Sequence, residues 1–189
     1  MEAVTKFYGQ RGILGINVGG SNVIRMADLR QCLADDGFEA VATYIQSGNV
    51  LFSAAGPAAA LAERIESVLT RQFSYAARAV VLGHHELRRV VEEAPPGFGA
   101  DPSTYKYDVL FVRAPLTVGE ALGAISLKDG VDDAFAGPGA VYFRRLSERA
   151  AQSRLSRFAG LPPYQNVTIR NWNTTTKLLA LLDARSGAA

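Results

Sequence analysis

Cysteine and histidine are both scarce in this chain. Of its 189 residues one is a cysteine, Cys32, and two are histidines, His84 and His85. A single cysteine excludes an internal disulfide and any multi-cysteine zinc site. Adjacent histidines do not share a helix face, and these two stand where a helix is predicted to begin, so we interpret them as cap and surface residues. Neither His-Glu-x-x-His nor Gly-x-Ser-x-Gly occurs, and no metal or cofactor is expected.

Long hydrophobic runs are also missing. The longest apolar run is far shorter than the roughly 20 residues that a helix needs to cross a bilayer, so no membrane partner is expected. The N-terminal residues MEAVTKFYGQ lack the apolar core of an export signal, and we therefore expect a cytoplasmic protein.

Cys32 falls with Leu29 and Leu33 on the apolar side of a predicted helix, which favours a core residue over a nucleophile.

A strong charge of one sign is absent as well. The chain has 20 Lys and Arg residues against 18 Asp and Glu residues, and this net charge of +2 does not by itself indicate nucleic-acid binding. The C-terminal third is nevertheless basic, with Glu148 as its one opposing acid from Arg144 to Lys177. Its basic residues are Arg144, Arg145, Arg149, Arg154, Arg157, Arg170 and Lys177. Such a field attracts phosphates or carboxylates, and a solvated basic helix is the alternative interpretation.

Apolar periodicity, interrupted by glycine and proline, predicts two sets of elements in the order strand, helix, strand, strand, helix, strand. The first set has strands at 12–18, 41–46, 49–52 and 78–82 and helices at 26–36 and 57–73. The second has strands at 107–112, 130–136, 140–146 and 166–170, helices at 117–126 and 148–159, and a closing helix at 174–184. A helix at 85–94 and the Pro/Gly-rich segment 94–103 lie between the sets.

This order predicts an α+β protein made of two ferredoxin-like (βαββαβ) halves with an additional connecting helix. The halves are predicted at residues 1–96 and 97–189, packed separately or as one compact unit. In such a half the turn after the first strand and the hairpin after the second emerge at the same end of the sheet. The Gly19–Gly20 turn and the Gln46–Asn49 hairpin are therefore predicted to be neighbours, with Asn17, Asn22 and Ser47 on the same rim.

The glycine turn, in the stretch GINVGGSN, is not a known nucleotide loop. Gly15 and Gly20 have the Walker spacing, but Ser21 stands where the phosphate-binding lysine belongs. The dinucleotide pattern G-x-G-x-x-G is absent too. The turn can still present backbone N–H groups to an anion, and a purely structural turn is the alternative.

The segment TIRNWNTTTK, residues 168–177, is the densest polar constellation. Arg170 and Lys177 supply positive charge, and Asn171 and Asn173 supply amides that both donate and accept. With Asn173 or Thr174 as the predicted N-cap, exposed helix N–H groups would lie among these side chains and would receive an anion. The alternative is a capped helix with Trp172 in the core.

Residues 15–52, GINVGGSNVIRMADLRQCLADDGFEAVATYIQSGNVLF, and 168–181, TIRNWNTTTKLLAL, closely resemble the bacterial family catalogued as domain of unknown function 1697. The resemblance implies a small cytoplasmic α+β protein with ferredoxin-like halves. It implies no activity, since the family has none established. Leu14 departs from the family pattern, which has arginine there, and Arg11 on a strand would point to the opposite face from residue 14.

The sequence therefore favours a binding protein or unrecognised enzyme that holds a small anionic ligand, such as a nucleotide or phosphorylated metabolite. The predicted site residues are Asn17, Gly19, Gly20, Gln46, Asn49, Arg170, Asn171, Asn173 and Lys177. One alternative, less favoured, is nucleic-acid binding through residues 144–157 and Trp172. Another is a structural or oligomerisation module without a ligand. Neither a reaction type nor an oligomeric state follows from the sequence.

Overall fold

The computed structural model of the chain describes residues 10–17, 24–45, 48–74 and 77–186, the first range by its backbone. The strands are β1 (Gln10–Asn17), β2 (Glu39–Tyr44), β3 (Asn49–Ala54), β4 (Arg78–Gly83), β5 (Tyr105–Val112), β6 (Asp132–Gly137), β7 (Ala140–Leu146) and β8 (Val167–Asn171). The helices are α1 (Met26–Asp35), α2 (Ala58–Phe73), α3 (His84–Glu92), α4 (Val118–Ala124), α5 (Leu155–Phe158) and α6 (Trp172–Ser186). Short 3-10 turns cover Ala150–Gln152 and Pro162–Asn166.

The fold is α+β, with a four-stranded antiparallel sheet in each of two compact units, Met1–His84 and His85–Ala189. The sheet orders are β2-β3-β1-β4 and β6-β7-β5-β8, so the second unit repeats the arrangement of the first. The unit boundary lies N-terminal to the predicted 96/97 division, and nearly all of α3 therefore belongs to the second unit. No helix in the described ranges combines the length and hydropathy needed to cross a membrane.

In the first unit, α1 and α2 share a core with one face of the sheet. Val50 and Phe52 of β3 point to this face because alternate strand residues share a side, and both are buried with Leu29 of α1 and Ile65 of α2. Phe38 meets Phe52 edge to face, with 5.1 Å between the ring centroids. In the register of the sheet Gly15 pairs with Asn49, so the last residues of β1 lie beside the first residues of β3.

In the second unit, α4 and α5 cover one face of the sheet. Their core includes Leu110 and Phe143 from the strands and Ala121 and Phe158 from the helices. Helix α4 begins after Thr117, whose hydroxyl accepts from the Glu120 N–H while the Glu120 carboxylate accepts from the Thr117 N–H. The Thr-x-x-Glu spacing in the sequence is the signature of this capping box.

The predicted continuous helix over 148–159 is wrong. A 3-10 turn and the four-residue α5 stand in its place. The Arg154 N–H donates to Asp132 Oδ2 (2.9 Å) and the Leu155 N–H donates to Ser153 Oγ (3.3 Å), so these donors do not serve an i→i−4 helical ladder. The interruption thus depends on a carboxylate that is distant in the sequence.

The opposite face of the second sheet is covered by α3, α6 and the segment 94–104, which we call the strap. The Tyr142 hydroxyl on β7 donates to the Val90 carbonyl of α3 at 2.6 Å. Arg88 of α3 forms an ion pair of 2.6 Å with Asp183 of α6. These contacts hold α3 and α6 side by side, and the strap packs against the start of α6.

Candidate functional site

The junction between β8 and α6 carries the C-terminal group of predicted site residues. Asn171 is the N-cap of α6, because its Oδ1 accepts a hydrogen bond of 2.7 Å from the Thr174 N–H. The predicted cap at Asn173 or Thr174 is therefore wrong, and the helix begins at Trp172. The first turn of a helix has N–H groups without intrahelical acceptors and a partial positive charge, so this end of the 15-residue α6 is suited to an anion.

Arg170 lies in β8 immediately before this cap. Its side chain is on the same sheet face as Val109, its partner in β5, and its Nη1 donates to the Ile169 carbonyl at 2.7 Å. Burial lowers the pKa of Arg170 to about 10, and the Tyr164 hydroxyl acts in the opposite direction. The guanidinium thus remains charged at neutral pH in surroundings that screen its charge less than water does.

Asn173 and Lys177 lie on the exposed stripe of α6, one helical turn apart. The opposite stripe is buried and includes Thr175 and Leu178. The structure thus gathers Arg170, Asn171, Asn173 and Lys177 at one helix end, with the cap amide committed to the backbone and the other amide exposed.

A buried ion pair that sequence reasoning missed lies beside this junction. Asp108 of β5 pairs in register with Asn171 and accepts a hydrogen bond of 2.6 Å from Arg145 Nη1. Burial raises the pKa of Asp108, while the positive charges of Arg145 and Lys106 act in the opposite direction. The one available signal was an acidic residue inside the apolar run YKYDVLFV. The pair neutralises charge at this end of the sheet.

Most basic residues of the C-terminal third are engaged in a similar way. Arg144 Nε lies 2.8 Å from Asp133 Oδ2, and Arg154 Nη1 donates to the Leu127 carbonyl at 3.0 Å. Arg149 donates to Gln152 Oε1 at 3.0 Å. The arginines that composition predicted to form a positive surface therefore bind carboxylate, amide and carbonyl groups of the protein itself. Arg170 differs from them because it lies at the start of a helix.

Arg144 also forms part of a partly exposed aromatic surface. Its guanidinium carbon lies 4.8 Å from the ring centroid of Tyr105 and 5.7 Å from that of Phe135. The three side chains come from neighbouring strands of the second sheet, and Phe135 is 36% exposed. The arrangement is a cation–π contact with an aromatic ring on each side. We call these three residues the ring surface.

The first unit holds the other predicted site residues. Asn49 is 1% exposed, and its Nδ2 donates to the Tyr44 carbonyl across its own hairpin at 3.3 Å. The backbone of Asn17 pairs with Arg78 of β4. The side chains of Asn17 and Leu14, together with Gly19, Gly20, Asn22, Gln46 and Ser47, lie outside the described residues. The register places the end of β1, which leads to the glycine turn, beside Asn49 at the start of β3, where the chain leaves the hairpin.

Cys32 packs against the core of the first unit, beside a groove of about 360 Å³ between α1 and α2. Burial raises the pKa of its thiol, and the negative charges of Asp36 and Asp35 add to the effect. A neutral thiol is a poor nucleophile. The groove is lined by Asp28 and these two acids with Arg71, so its charge disfavours an anion. Within the described residues no cluster of three or more metal-ligating side chains is found.

Comparisons with known proteins identify relatives of this chain. The family model described as "Protein of unknown function (DUF1697)" matches residues 13–143. The conserved bacterial protein SP0830 from Streptococcus pneumoniae has a similar structure, with a TM-score of 0.77 and 28% sequence identity, and the match covers 92% of this chain and 98% of that chain. No curated protein matches significantly. The chain therefore belongs to the DUF1697 family, which confirms the resemblance carried by its sequence motifs.

Proposed function

We propose that this chain is a cytoplasmic binding protein that holds a small anionic or phosphorylated ligand, nucleotide-like in class, at the start of α6. The observation that carries the proposal is the position of Arg170. Its partly buried cation lies two residues before the first residue of a 15-residue helix. Helix N–H groups and a guanidinium both bind phosphate oxygens, and a poorly screened charge attracts an anion more strongly.

The remaining predicted residues have separate roles in this proposal. Asn173 and Lys177 would contact the ligand from the exposed stripe of α6, while Asn171 keeps the helix start in place as its cap. In the first unit Asn17, Gly19, Gly20 and Gln46 stay predicted as a separate polar rim of that unit, whereas the buried Asn49 amide donates to the Tyr44 carbonyl. We also propose that each unit contains a ferredoxin-like half. The repeated sheet order supports this, as does the placement of helical connections after the first and third strands of each set.

The test is a thermal-unfolding titration with inorganic phosphate, pyrophosphate, AMP and a sugar phosphate. Binding to the folded state raises stability by mass action, by about 2.7 kcal/mol at a ligand concentration 100 times Kd. We expect stabilisation of the wild-type protein and a loss of about tenfold or more in affinity in Arg170→Ala, because a hydrogen bond to a charged group contributes about 1.5–3 kcal/mol.

Arg157→Ala is the matched control, since it removes the same charge from an exposed position on α5. It should bind as the wild type does. Absence of stabilisation by all four ligands, or equal affinity in Arg170→Ala and Arg157→Ala, would contradict the proposal. The structural-module alternative predicts this absence.

Nucleic-acid binding remains a second candidate, favoured by the ring surface. Exposed aromatic side chains and arginine stack on bases, at about 1–3 kcal/mol for each base. Fluorescence anisotropy with a labelled single-stranded oligonucleotide would show binding that Phe135→Ala weakens. Leu161→Ala, at an apolar side chain that is 41% exposed, should have no effect. No binding even at low salt would reject this candidate.

A further inference from the structure

The aromatic side chain of Phe98 packs the strap on the second sheet, and the Asp101 N–H of the strap donates to the Tyr107 hydroxyl at 3.3 Å. The ring centroid of Phe98 lies 4.9 Å from that of Tyr107, 5.2 Å from that of Tyr142 and 5.2 Å from that of Trp172. Its ring meets the Trp172 ring at 90°, the edge-to-face geometry that aromatic pairs favour. Tyr107 and Tyr142 are both buried in the sheet. Phe98 thus links buried strand residues to the first residue of α6.

Gly99 brings the strap backbone directly against the Trp172 indole. A Cβ atom on Gly99 would lie 2.2 Å from Trp172 Nε1 and 2.4 Å from Trp172 Cδ1, far inside van der Waals contact. Gly99 also has φ of +85°, which favours glycine. The contact therefore requires the absence of a side chain at this position, and the indole has no room to move toward the strap.

Trp172 connects the strap contact to the start of α6. It is the first residue of α6, it follows the cap residue Asn171, and Arg170 is two residues before it. Its backbone belongs to the first turn of α6, where the anion is proposed to bind. A displaced indole would therefore displace that turn relative to Arg170.

We infer that the strap is a positioning segment for the anion site: Phe98 and Gly99 fix Trp172, and Trp172 fixes the first turn of α6 for ligand binding. This inference rests on the proposed function. It assigns a role to the Pro/Gly-rich segment, which the sequence suggested only as a boundary between halves. It also assigns Trp172 a role beyond filling the core.

Two glycines of the strap provide a matched pair of variants. Gly97 has φ of +78°, close to that of Gly99, but a Cβ atom on Gly97 would meet nothing within 4 Å. Alanine therefore strains the backbone similarly at both positions and collides with the indole at Gly99 only. Trp172 is the single tryptophan of the chain, so its emission reports directly on this contact.

The experiment is a titration of the full chain with inorganic phosphate, followed by Trp172 fluorescence, for the wild type, Gly97→Ala and Gly99→Ala. We expect Gly99→Ala to shift the emission of the unliganded protein and to weaken phosphate binding about tenfold. Gly97→Ala should keep the wild-type emission and bind within twofold of the wild type. Equal affinities in the two variants would overturn the inference while leaving the proposed function intact.

Phe98→Leu provides a second variant in case Gly99→Ala does not fold. It retains an apolar side chain over Tyr107 and Tyr142 but loses the ring contact with Trp172. A folded Phe98→Leu protein, verified by circular dichroism, should show altered Trp172 emission and weaker phosphate binding. Wild-type affinity in this variant would overturn the inference. Failure of the wild-type protein to bind phosphate or any of the other three ligands would instead refute the proposed function, and the inference with it.

Discussion

The two units have the same strand order but different connections. In the first unit the third strand leads to the fourth through α2, a regular helix of 16 residues. In the second unit the corresponding segment is divided into a 3-10 turn, the four-residue α5 and a second 3-10 turn. The sheet order is nevertheless repeated. Strands with alternating apolar residues and tight hairpins therefore determine these sheets. The connection from the third to the fourth strand does not require a regular helix.

The units also differ in what their sheets carry. The described part of the first sheet is mainly aliphatic around Phe52. The second carries two arginine–carboxylate pairs, Arg144–Asp133 and Arg145–Asp108, and an aromatic cluster centred on Phe98. The difference is why we place the proposed ligand and its positioning segment in the second unit.

The largest expected effect tests whether the cores of the two units contribute equally to the free energy of unfolding. Phe52 and Phe143 are fully buried, each in the core of its own unit. Replacing a buried Phe by Ala costs about 3–5 kcal/mol through lost burial and an unfilled cavity. We expect Phe52→Ala and Phe143→Ala to reduce the free energy of unfolding similarly, as measured by urea denaturation. A loss below about 1 kcal/mol in either variant would contradict the core that the structure gives to that unit.

The second prediction concerns ion pairs with unequal burial. Asp108→Ala leaves Arg145 largely buried without its carboxylate, and breaking such a pair typically costs about 3–5 kcal/mol. In the first unit the side chain of Arg64 is 45% exposed in its pair with Asp36, and we expect Asp36→Ala to cost about 1 kcal/mol or less.

The variant Asp108→Asn tests the same ion pair through the pH dependence of the unfolding free energy. The folded-state pKa of Asp108 is raised, so its contribution to stability is present below the unfolded pKa of about 3.9 and is lost as pH rises through the folded value. The decrease in unfolding free energy that Asp108 causes between pH 3 and pH 7 should therefore be absent in Asp108→Asn. An unchanged pH profile would be evidence against burial as the dominant influence on this carboxyl.

The smallest expected effect comes from the different N-terminal caps of α4 and α2. Helix α4 has a capping box at Thr117, whereas the N-cap residue of α2 is Pro57, which provides no side-chain cap. Thr117→Ala should cost about 1 kcal/mol, and Pro57→Ala should cost less because no cap is lost. Thermal unfolding of both variants measures the difference, and an equal shift in Tm would contradict it.

Local sequence patterns predicted most of the fold. The α+β class, the hairpins and the capping box follow from apolar alternation, from glycine positions and from the Thr-x-x-Glu spacing, which are all short-range features. The interruption before α5 did not, because it depends on Asp132 accepting from the distant Arg154 N–H. The cap of α6 was misplaced because both Asn171 and Asn173 suit a helix start.

The candidate site was predictable only in part. The motif 168–177 drew attention to Arg170 and Lys177 through its composition. The pairing of Asp108 with Arg145 and the contact of Gly99 with Trp172 join residues far apart in the sequence, and no local pattern indicates them. Burial of Asn49 likewise depends on the assembled sheet, since the hairpin sequence alone predicted a ligand-binding residue at this position.

The outer strands of the two sheets have a consequence for aggregation. An edge strand can recruit strands from other molecules, and charges or irregular pairing oppose this. The edge strand β2 begins at Glu39 and shifts its register before Ala42, and the edge strand β6 begins with Asp132 and Asp133. Arg144 lies over the ring of Phe135, the most exposed large apolar side chain on β6. The same features that shape these two strands thus discourage a neighbouring molecule from adding a strand at the β2 or the β6 edge.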